Sequence, residues 1–171
     1  MGISLMHFCI KRWKAAGQKL VFFILAGWLC LGGQMAGADI LVKVAVGGTI
    51  HEISDEELNK LPTERYETST IWTEGIQVLE GPSLRVLLES LGATGGMVEL
   101  TAINGYFIEM SFEELMADVP ILARTRNGTA LTRRDKGPLW LVFPYDRGRE
   151  FQTELIFAQS IWQITDIAVV P

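Results

Sequence analysis

Two Asn-Gly dipeptides, Asn104-Gly105 and Asn127-Gly128, constrain the fold of this chain most, because each lies between two apolar runs. Asparagine followed by glycine favours the type I′ turn that connects two antiparallel strands. The sequence therefore predicts two β-hairpins, whose strands are residues 98–103 with 106–110 and residues 121–126 with 129–132.

The remaining segments combine strand patterns with short helical patterns. Capping boxes, in which a serine precedes a glutamate by three residues, predict short helices at 54–61 and 111–116. Four leucines on one helical face predict a helix that ends at Gly92: Leu84, Leu87, Leu88 and Leu91. Further strands are expected at 40–46, 66–72, 139–143 and 161–170, and a helix at 153–159. We expect one α+β domain, mostly β with a few short helices.

The first 38 residues have the order of a secretory signal peptide. A cationic stretch precedes an apolar run at 20–31, and the small residues Ala36-Gly37-Ala38 follow. An apolar run of about a dozen residues is short for a membrane span, which needs roughly 20. We therefore expect cleavage near Ala38 and a mature domain over 39–171 that is periplasmic or secreted, with a retained membrane anchor as the alternative.

Cleavage near Ala38 would limit the chemistry of the mature chain. It removes Cys9 and Cys30, the only cysteines, and leaves 11 basic against 20 acidic residues, a net charge of −9. Such an acidic domain is not expected to bind nucleic acid. Because His51 is then the single histidine, a metal site built on nitrogen and sulfur has too few ligands. No metal held by the protein is expected.

A local group of cations departs from this acidic background. Five basic residues lie within thirteen positions, against the single acid Asp135: Arg124, Arg126, Arg133, Arg134 and Lys136. A turn at Asn127-Gly128 would fold the first two back towards the others, and guanidinium groups suit phosphate or carboxylate. The pattern predicts an anion-binding site. The alternative is a solvated hairpin whose charges keep a sheet edge from pairing.

Aromatic residues at the ends of predicted strands are candidates for the wall of a groove: Trp72, Tyr106, Trp140 and Tyr145. Each lies at or near a predicted turn, where a flat ring is able to contact a ligand. Packing in the core is the alternative for each of them.

The order of three segments resembles a known family. "TSTIWTEGIQVLEGPSLRVLLESLGA", "TAINGYFIEM" and "ILARTRNGTALTRRDKGPLWLVFP", followed by a tryptophan near the closing strand, resemble the oxidoreductase molybdopterin-binding domain of the sulfite oxidase family. The chain is most similar to the short exported bacterial members that consist of this domain alone, and the resemblance covers nearly all of 39–171.

The resemblance implies the fold of that domain and a groove for a pterin cofactor. In the family, loops line the groove, basic and amide groups meet the phosphate, and a cysteine thiolate binds molybdenum. The residues of this chain that we expect to bind a cofactor are Trp72, Asn104, Tyr106, Arg124, Arg126, Arg133, Arg134, Lys136 and Trp140.

The chain also departs from the family pattern at the metal-binding position. The cysteine is missing from the neighbourhood of Thr68 to Thr70, and a threonine hydroxyl is a poor molybdenum ligand. Trp140 replaces the arginine of the Gly-Pro strand, and the histidine often found before it is missing. These changes argue against an active oxidoreductase.

Three functions therefore remain open at this point. The first is capture of a molybdopterin-type or other anionic ligand in the groove, with redox activity reduced or altered. The second is a non-catalytic binding or sensing module that uses the scaffold for a small acid or a partner protein. The third is a structural subunit whose groove is filled by its own side chains.

Overall fold

The computed structural model describes residues 39–171, and the predicted signal peptide lies outside them. The strands are β1 (Ile40–Val46), β2 (Thr49–Ser54), β3 (Thr63–Ser69), β4 (Ile76–Pro82), β5 (Met97–Ala102), β6 (Phe107–Ser111), β7 (Ile121–Ala123), β8 (Thr125–Arg126), β9 (Thr129–Ala130), β10 (Trp140–Val142) and β11 (Ile164–Val170). The helices are α1 (Asp55–Leu58), α2 (Leu84–Ser90) and α3 (Glu154–Gln159), with 3₁₀ turns at Phe112–Glu114, Tyr145–Arg147 and Arg149–Phe151. The α+β class with mostly strand is confirmed.

These strands form three sheets within the described residues. The largest has the order β2-β1-β11-β5-β6, the second the order β3-β4-β8-β9, and β10 pairs with β7 alone. β11 is parallel to β1 and antiparallel to β5, so the end of the chain lies between two earlier strands. No helix among residues 39–171 is long and apolar enough to cross a membrane.

The core follows the alternation that the sequence predicts for strands. In β1, Val42 and Val44 are buried and Lys43 between them is exposed. β5 and β10 contribute further buried residues, and α2 adds Leu84, Leu87 and Leu88 to the same core. Side chains on one face of each strand or helix thus pack into one core. Apolar residues repeat about every two positions on one face of a strand and about every 3.6 positions on one face of a helix.

The two Asn-Gly turns differ in conformation. Asn127 and Gly128 both have positive φ, 51° and 75°, and join the paired residues Arg126 and Thr129, as a type I′ turn requires. Of the other pair, only Gly105 has positive φ, 81°. There the Asn104 side-chain oxygen accepts a hydrogen bond from Tyr106 N at 3.0 Å. The hairpin is confirmed, but its predicted type I′ turn is wrong, because this side-chain bond supports a longer loop.

Several predicted boundaries are corrected by the structure. The predicted strand 66–72 ends at Ser69, so Trp72 lies in the loop before β4. The strands β2 and β4 were not predicted. β2 forms because Gly47 and Gly48, with φ of 57° and 82°, turn the chain back onto β1.

The capping boxes have different outcomes. Ser54 and Glu57 form the predicted reciprocal pair, but α1 ends at Leu58 instead of Leu61. The Ser111 hydroxyl accepts from Glu113 N instead of the predicted Glu114. This shift by one residue produces a single 3₁₀ turn in place of the predicted helix, because a 3₁₀ turn closes over fewer residues than an α-helix.

Candidate functional site: an aromatic pocket

Trp72 lies at the centre of an aromatic cluster. Its ring centroid is 5.8 Å from that of Trp140, 6.1 Å from Tyr145, 6.0 Å from Phe157 and 5.8 Å from Trp162. The planes of each pair meet at 65° to 85°. Edge-to-face contacts of this kind are the favourable arrangement of aromatic pairs. We call these five residues the aromatic cluster.

Five separate segments position the cluster. Trp72 comes from the loop between β3 and β4, Trp140 from β10, and Phe157 from α3. Trp162 lies opposite Trp140 in an antiparallel bridge, so the two indoles share one face. The Tyr145 hydroxyl is 2.7 Å from Ser160 Oγ, and burial raises the pKa of Tyr145 to about 12. Tyr145 is therefore a neutral structural member of the cluster.

One side of the aromatic cluster borders a cavity of about 250 Å³, which we call the aromatic pocket. Its other walls are small and aliphatic residues. Four rings and two polar side chains line it: Trp72, Tyr106, Phe157, Trp162, Asn104 and Ser160. A concave, mainly aromatic surface with a few polar groups is typical of small-molecule sites.

Most polar groups of the aromatic pocket are already hydrogen-bonded within the protein. Ser160 Oγ donates to Ile156 O at 2.7 Å, and the Tyr106 hydroxyl donates to Ala158 O at 2.9 Å. The Asn104 amide oxygen is also engaged, but its NH₂ group donates to no group among residues 39–171. The buried indole N–H without a hydrogen-bond partner within these residues is that of Trp140, which lies beside the pocket and does not line it. The pocket thus offers the Asn104 NH₂ group to a ligand.

Lys136 places a positive charge against the wall of the pocket. Its Nζ is 3.9 Å from the ring centroid of Trp162 and 5.2 Å from that of Trp140. Burial lowers the pKa of Lys136, although Asp135 acts in the opposite direction. Lys136 also has a positive φ of 61°, a strained conformation that persists only where the surrounding structure imposes it.

Two of the predicted anion-binding arginines are paired with carboxylates. Arg124 forms an ion pair with Asp55 and donates to Asn59 Oδ1 at 2.8 Å, and its side chain is 15% exposed. Arg126 lies 2.6 Å from Asp135 Oδ2. Each positive charge is therefore paired with a carboxylate within the protein, although the buried Arg124 Nε has no hydrogen-bond partner among the described residues.

Arg133 and Arg134 are exposed and form no ion pair among residues 39–171. The predicted convergence of the arginines on one hollow is therefore not found, and the alternative of solvated charges describes these two. Of the nine predicted cofactor residues, Trp72, Asn104 and Tyr106 line the aromatic pocket, and Lys136 and Trp140 lie beside it. The four arginines do not line it.

Hydrogen bonds join Thr68 and Ser69 to Asp146, and we call this group the Asp146 lock. The buried Thr68 hydroxyl donates to Ser69 O at 3.2 Å and accepts from Asp146 N at 3.0 Å. Ser69 N and Oγ donate to the Asp146 carboxylate at 2.5 Å and 2.7 Å. Within residues 39–171, no group of three or more His, Cys, Asp or Glu side chains is placed to hold a metal. The residues present do not fit a molybdenum centre bound to the protein.

The Asp146 lock predicts a specific acid sensitivity. Hydrogen bonds from the Ser69 backbone and side chain hold the pKa of Asp146 below its usual range. A lowered folded-state pKa stabilises the protein above the unfolded pKa of about 3.9, and this stabilisation disappears as pH falls through the folded-state value. We expect Asp146→Asn to be less stable than wild type near neutral pH and to differ less from it near pH 3.

Urea unfolding midpoints at about pH 7 and about pH 3 measure this difference. Asp166→Asn, which removes an exposed carboxylate of β11, is the matched control. Parallel pH profiles for wild type and Asp146→Asn would contradict the lock.

The sequence prediction missed Phe157 and Ser160 as lining residues. The local signal is weak, since both lie in or just after the short helix α3 and resemble ordinary helix residues. Trp162 was noted only as a tryptophan near the closing strand. These residues become part of a site only because α3 and the start of β11 pack beside the turn that carries Tyr106.

Comparison of the sequence with protein-family models and with curated proteins finds no match in either set.

Proposed function

We propose that residues 39–171 form a non-catalytic, exported binding module that holds a small acidic ligand in the aromatic pocket. The proposed scaffold is the molybdopterin-binding fold of the sulfite oxidase family, used without redox chemistry. The observation that carries the proposal is the aromatic pocket itself, with four lining rings, the Asn104 side chain and the Lys136 ammonium against Trp162.

The charge distribution supports an acid as ligand. A domain with 11 basic and 20 acidic residues repels anions over most of its surface, so capture of an anion needs a local positive potential. Lys136 and the two exposed residues Arg133 and Arg134 supply positive charge in one segment. The electric field of these cationic groups would attract an acid before contact, while the aromatic rings would bind the apolar part of the acid.

A molybdopterin-type ligand in the same pocket is a second candidate. The aromatic lining of the pocket favours a planar pterin. Pairing of Arg124 with Asp55 and of Arg126 with Asp135 removes two of the donors expected for its phosphate, and the Thr68 hydroxyl is already bonded on both sides. We therefore place the small acid first.

Cofactor content and ligand dependence test the proposal. Protein exported from a molybdenum-replete host is expected to contain neither molybdenum nor the fluorescent pterin formed by acid oxidation. Stoichiometric amounts of both would overturn the non-catalytic assignment.

Matched variants test where an acid binds. In thermal-shift titrations with a panel of small acids, Trp162→Ala is expected to abolish the ligand-induced increase in Tm. The double variant that carries both Arg126→Ala and Arg134→Ala is expected to retain this increase. The reverse result would place binding at the basic hairpin. If no acid stabilises the wild-type protein, the small-acid proposal fails and a partner protein becomes the better hypothesis.

A further inference from the structure

We propose that the ligand of the aromatic pocket is a planar aromatic monocarboxylate, whose ring packs among the lining rings and whose carboxylate pairs with Lys136. This inference rests on the proposed function and narrows it to one class of acid. Shape, charge sign and charge number each contribute a separate argument.

The shape argument comes from the walls. Trp72, Tyr106, Phe157 and Trp162 line a cavity of about 250 Å³, small for a ligand pocket and suited to one or two fused rings. Aromatic rings gain stacked or edge contacts with a flat ring beyond the burial of area, whereas a saturated ring of similar size gains burial alone. The walls therefore favour a planar ligand.

The sign of the charge follows from Lys136. A pocket lined by several rings is otherwise suited to cations, because the face of each ring attracts positive charge. Here the Lys136 ammonium already lies 3.9 Å from the centroid of Trp162. A ligand cation in the pocket would be repelled by this ammonium, while a carboxylate would be attracted to it and could accept from the NH₂ group of Asn104.

The number of charges follows from which cations are free. Arg124 and Arg126 are paired with Asp55 and Asp135, so within the described residues Lys136 is the cation in contact with a lining ring. The Lys136 side chain is partly buried. A second carboxylate on the ligand would have no cation to pair with in this apolar pocket, so its lost hydration would not be replaced. A ligand with a single carboxylate therefore matches the single ammonium of Lys136.

Four related probes separate these arguments: 2-naphthoate, its saturated analogue decahydro-2-naphthoate, the neutral naphthalene-2-carboxamide and the cationic 2-naphthylmethylammonium. The readout is the set of indole N–H signals in nitrogen-15 NMR spectra, assigned with Trp72→Phe and Trp162→Phe. We expect 2-naphthoate to shift both signals, the saturated acid and the amide to bind on the order of tenfold more weakly, and the cation not to bind.

Lys136→Met keeps an unbranched apolar side chain against Trp162 and removes the charge. We expect it to weaken 2-naphthoate binding by about fivefold to tenfold, with amide binding unchanged. Lys60→Met is the matched control, because Lys60 is an exposed lysine that pairs only with Glu56 within the described residues. An unchanged thermal midpoint of Lys136→Met would show that the variant is folded.

The outcomes distinguish failure of this inference from failure of the proposed function. Equal binding of the saturated acid, with the same indole signals shifted, would overturn the planar class and leave acid binding intact. Tighter binding of the cation, or no effect of Lys136→Met, would overturn the charge assignment. If no acid probe shifts the Trp72 or Trp162 signal, both proposals fail.

Discussion

Gly81→Ala is expected to destabilise the domain by about 3 kcal/mol or more, which is a large part of a typical folding free energy. Gly81 is a buried residue of β4 that pairs with Glu64 of β3. A Cβ atom at this position would lie 1.9 Å from the carbonyl oxygen of Leu122 and 2.7 Å from its carbonyl carbon. Because the obstacle is the backbone of β7, no side-chain rotation relieves the overlap, and two strands must separate.

Urea unfolding followed by tryptophan fluorescence measures this loss, since Trp72, Trp140 and Trp162 all belong to the aromatic cluster. Gly95→Ala is the matched control. Its Cβ would approach only Glu113 Oε1, at 2.9 Å, the far end of a flexible side chain, so we expect a change within about 1 kcal/mol. Equal stability of the Gly81→Ala and Gly95→Ala variants would show that the stability of the domain does not depend on the close approach of β4 and β7.

Trp72→Ala is expected to cost about 3 kcal/mol and to abolish binding of 2-naphthoate. Trp72 contacts four other rings, and its removal leaves a void beside Trp140, which is 0% exposed. Truncation of a large buried aromatic loses both the burial of apolar area and the packing contacts of its neighbours. Since Trp72 is only partly buried, we place the effect at the lower end of the range for such changes.

The neighbouring residue supplies a sharp control for this variant. Ile71 is 64% exposed, so Ile71→Ala is expected to change the free energy of unfolding by less than about 0.5 kcal/mol. Trp72→Phe, which keeps part of the ring contacts, should lie between the two. Near-UV circular dichroism reports whether the remaining rings keep a fixed arrangement. Similar stability of Trp72→Ala and Ile71→Ala would contradict the central position of Trp72 in the aromatic cluster.

Elements with strong local signals were predicted well from the sequence. Strand β1 has the predicted bounds, Ile40–Val46, because its alternation of Val with less apolar residues specifies a half-buried strand. The Asn127-Gly128 turn also formed as predicted, since both residues tolerate positive φ. The N-cap Thr153 and the helix after it lie within the predicted segment 153–159. In each case residues close in sequence decide the conformation.

The loop that carries Trp72 shows where local signals fail. The predicted strand 66–72 continues its β-branched pattern past Ser69, yet the strand ends there, where Ser69 pairs with Ile76 across the β3–β4 hairpin and also donates to Asp146, 77 positions later in the chain. No feature of the residues around Ser69 reveals this partner. The consequence is that Trp72 leaves the sheet and enters the aromatic cluster.

The basic segment shows the same limit for the candidate site. Its arginines were correctly identified as a local excess of charge, but the partner of Arg124 is Asp55, 69 positions earlier. An ion pair depends on the distance between two side chains after folding, which a run of like charges cannot specify. The proposed anion site is therefore the aromatic pocket beside Lys136 and not the group of arginines.

The sequence by itself determined the α+β class, the first strand and the hairpin turn at Asn127-Gly128. Only the tertiary structure decided which residues share a pocket and which charges remain free, since Trp72, Tyr106, Phe157 and Trp162 come from segments far apart in the chain. Local conformation depends on neighbours within a few residues, whereas a binding site depends on packing between distant ones.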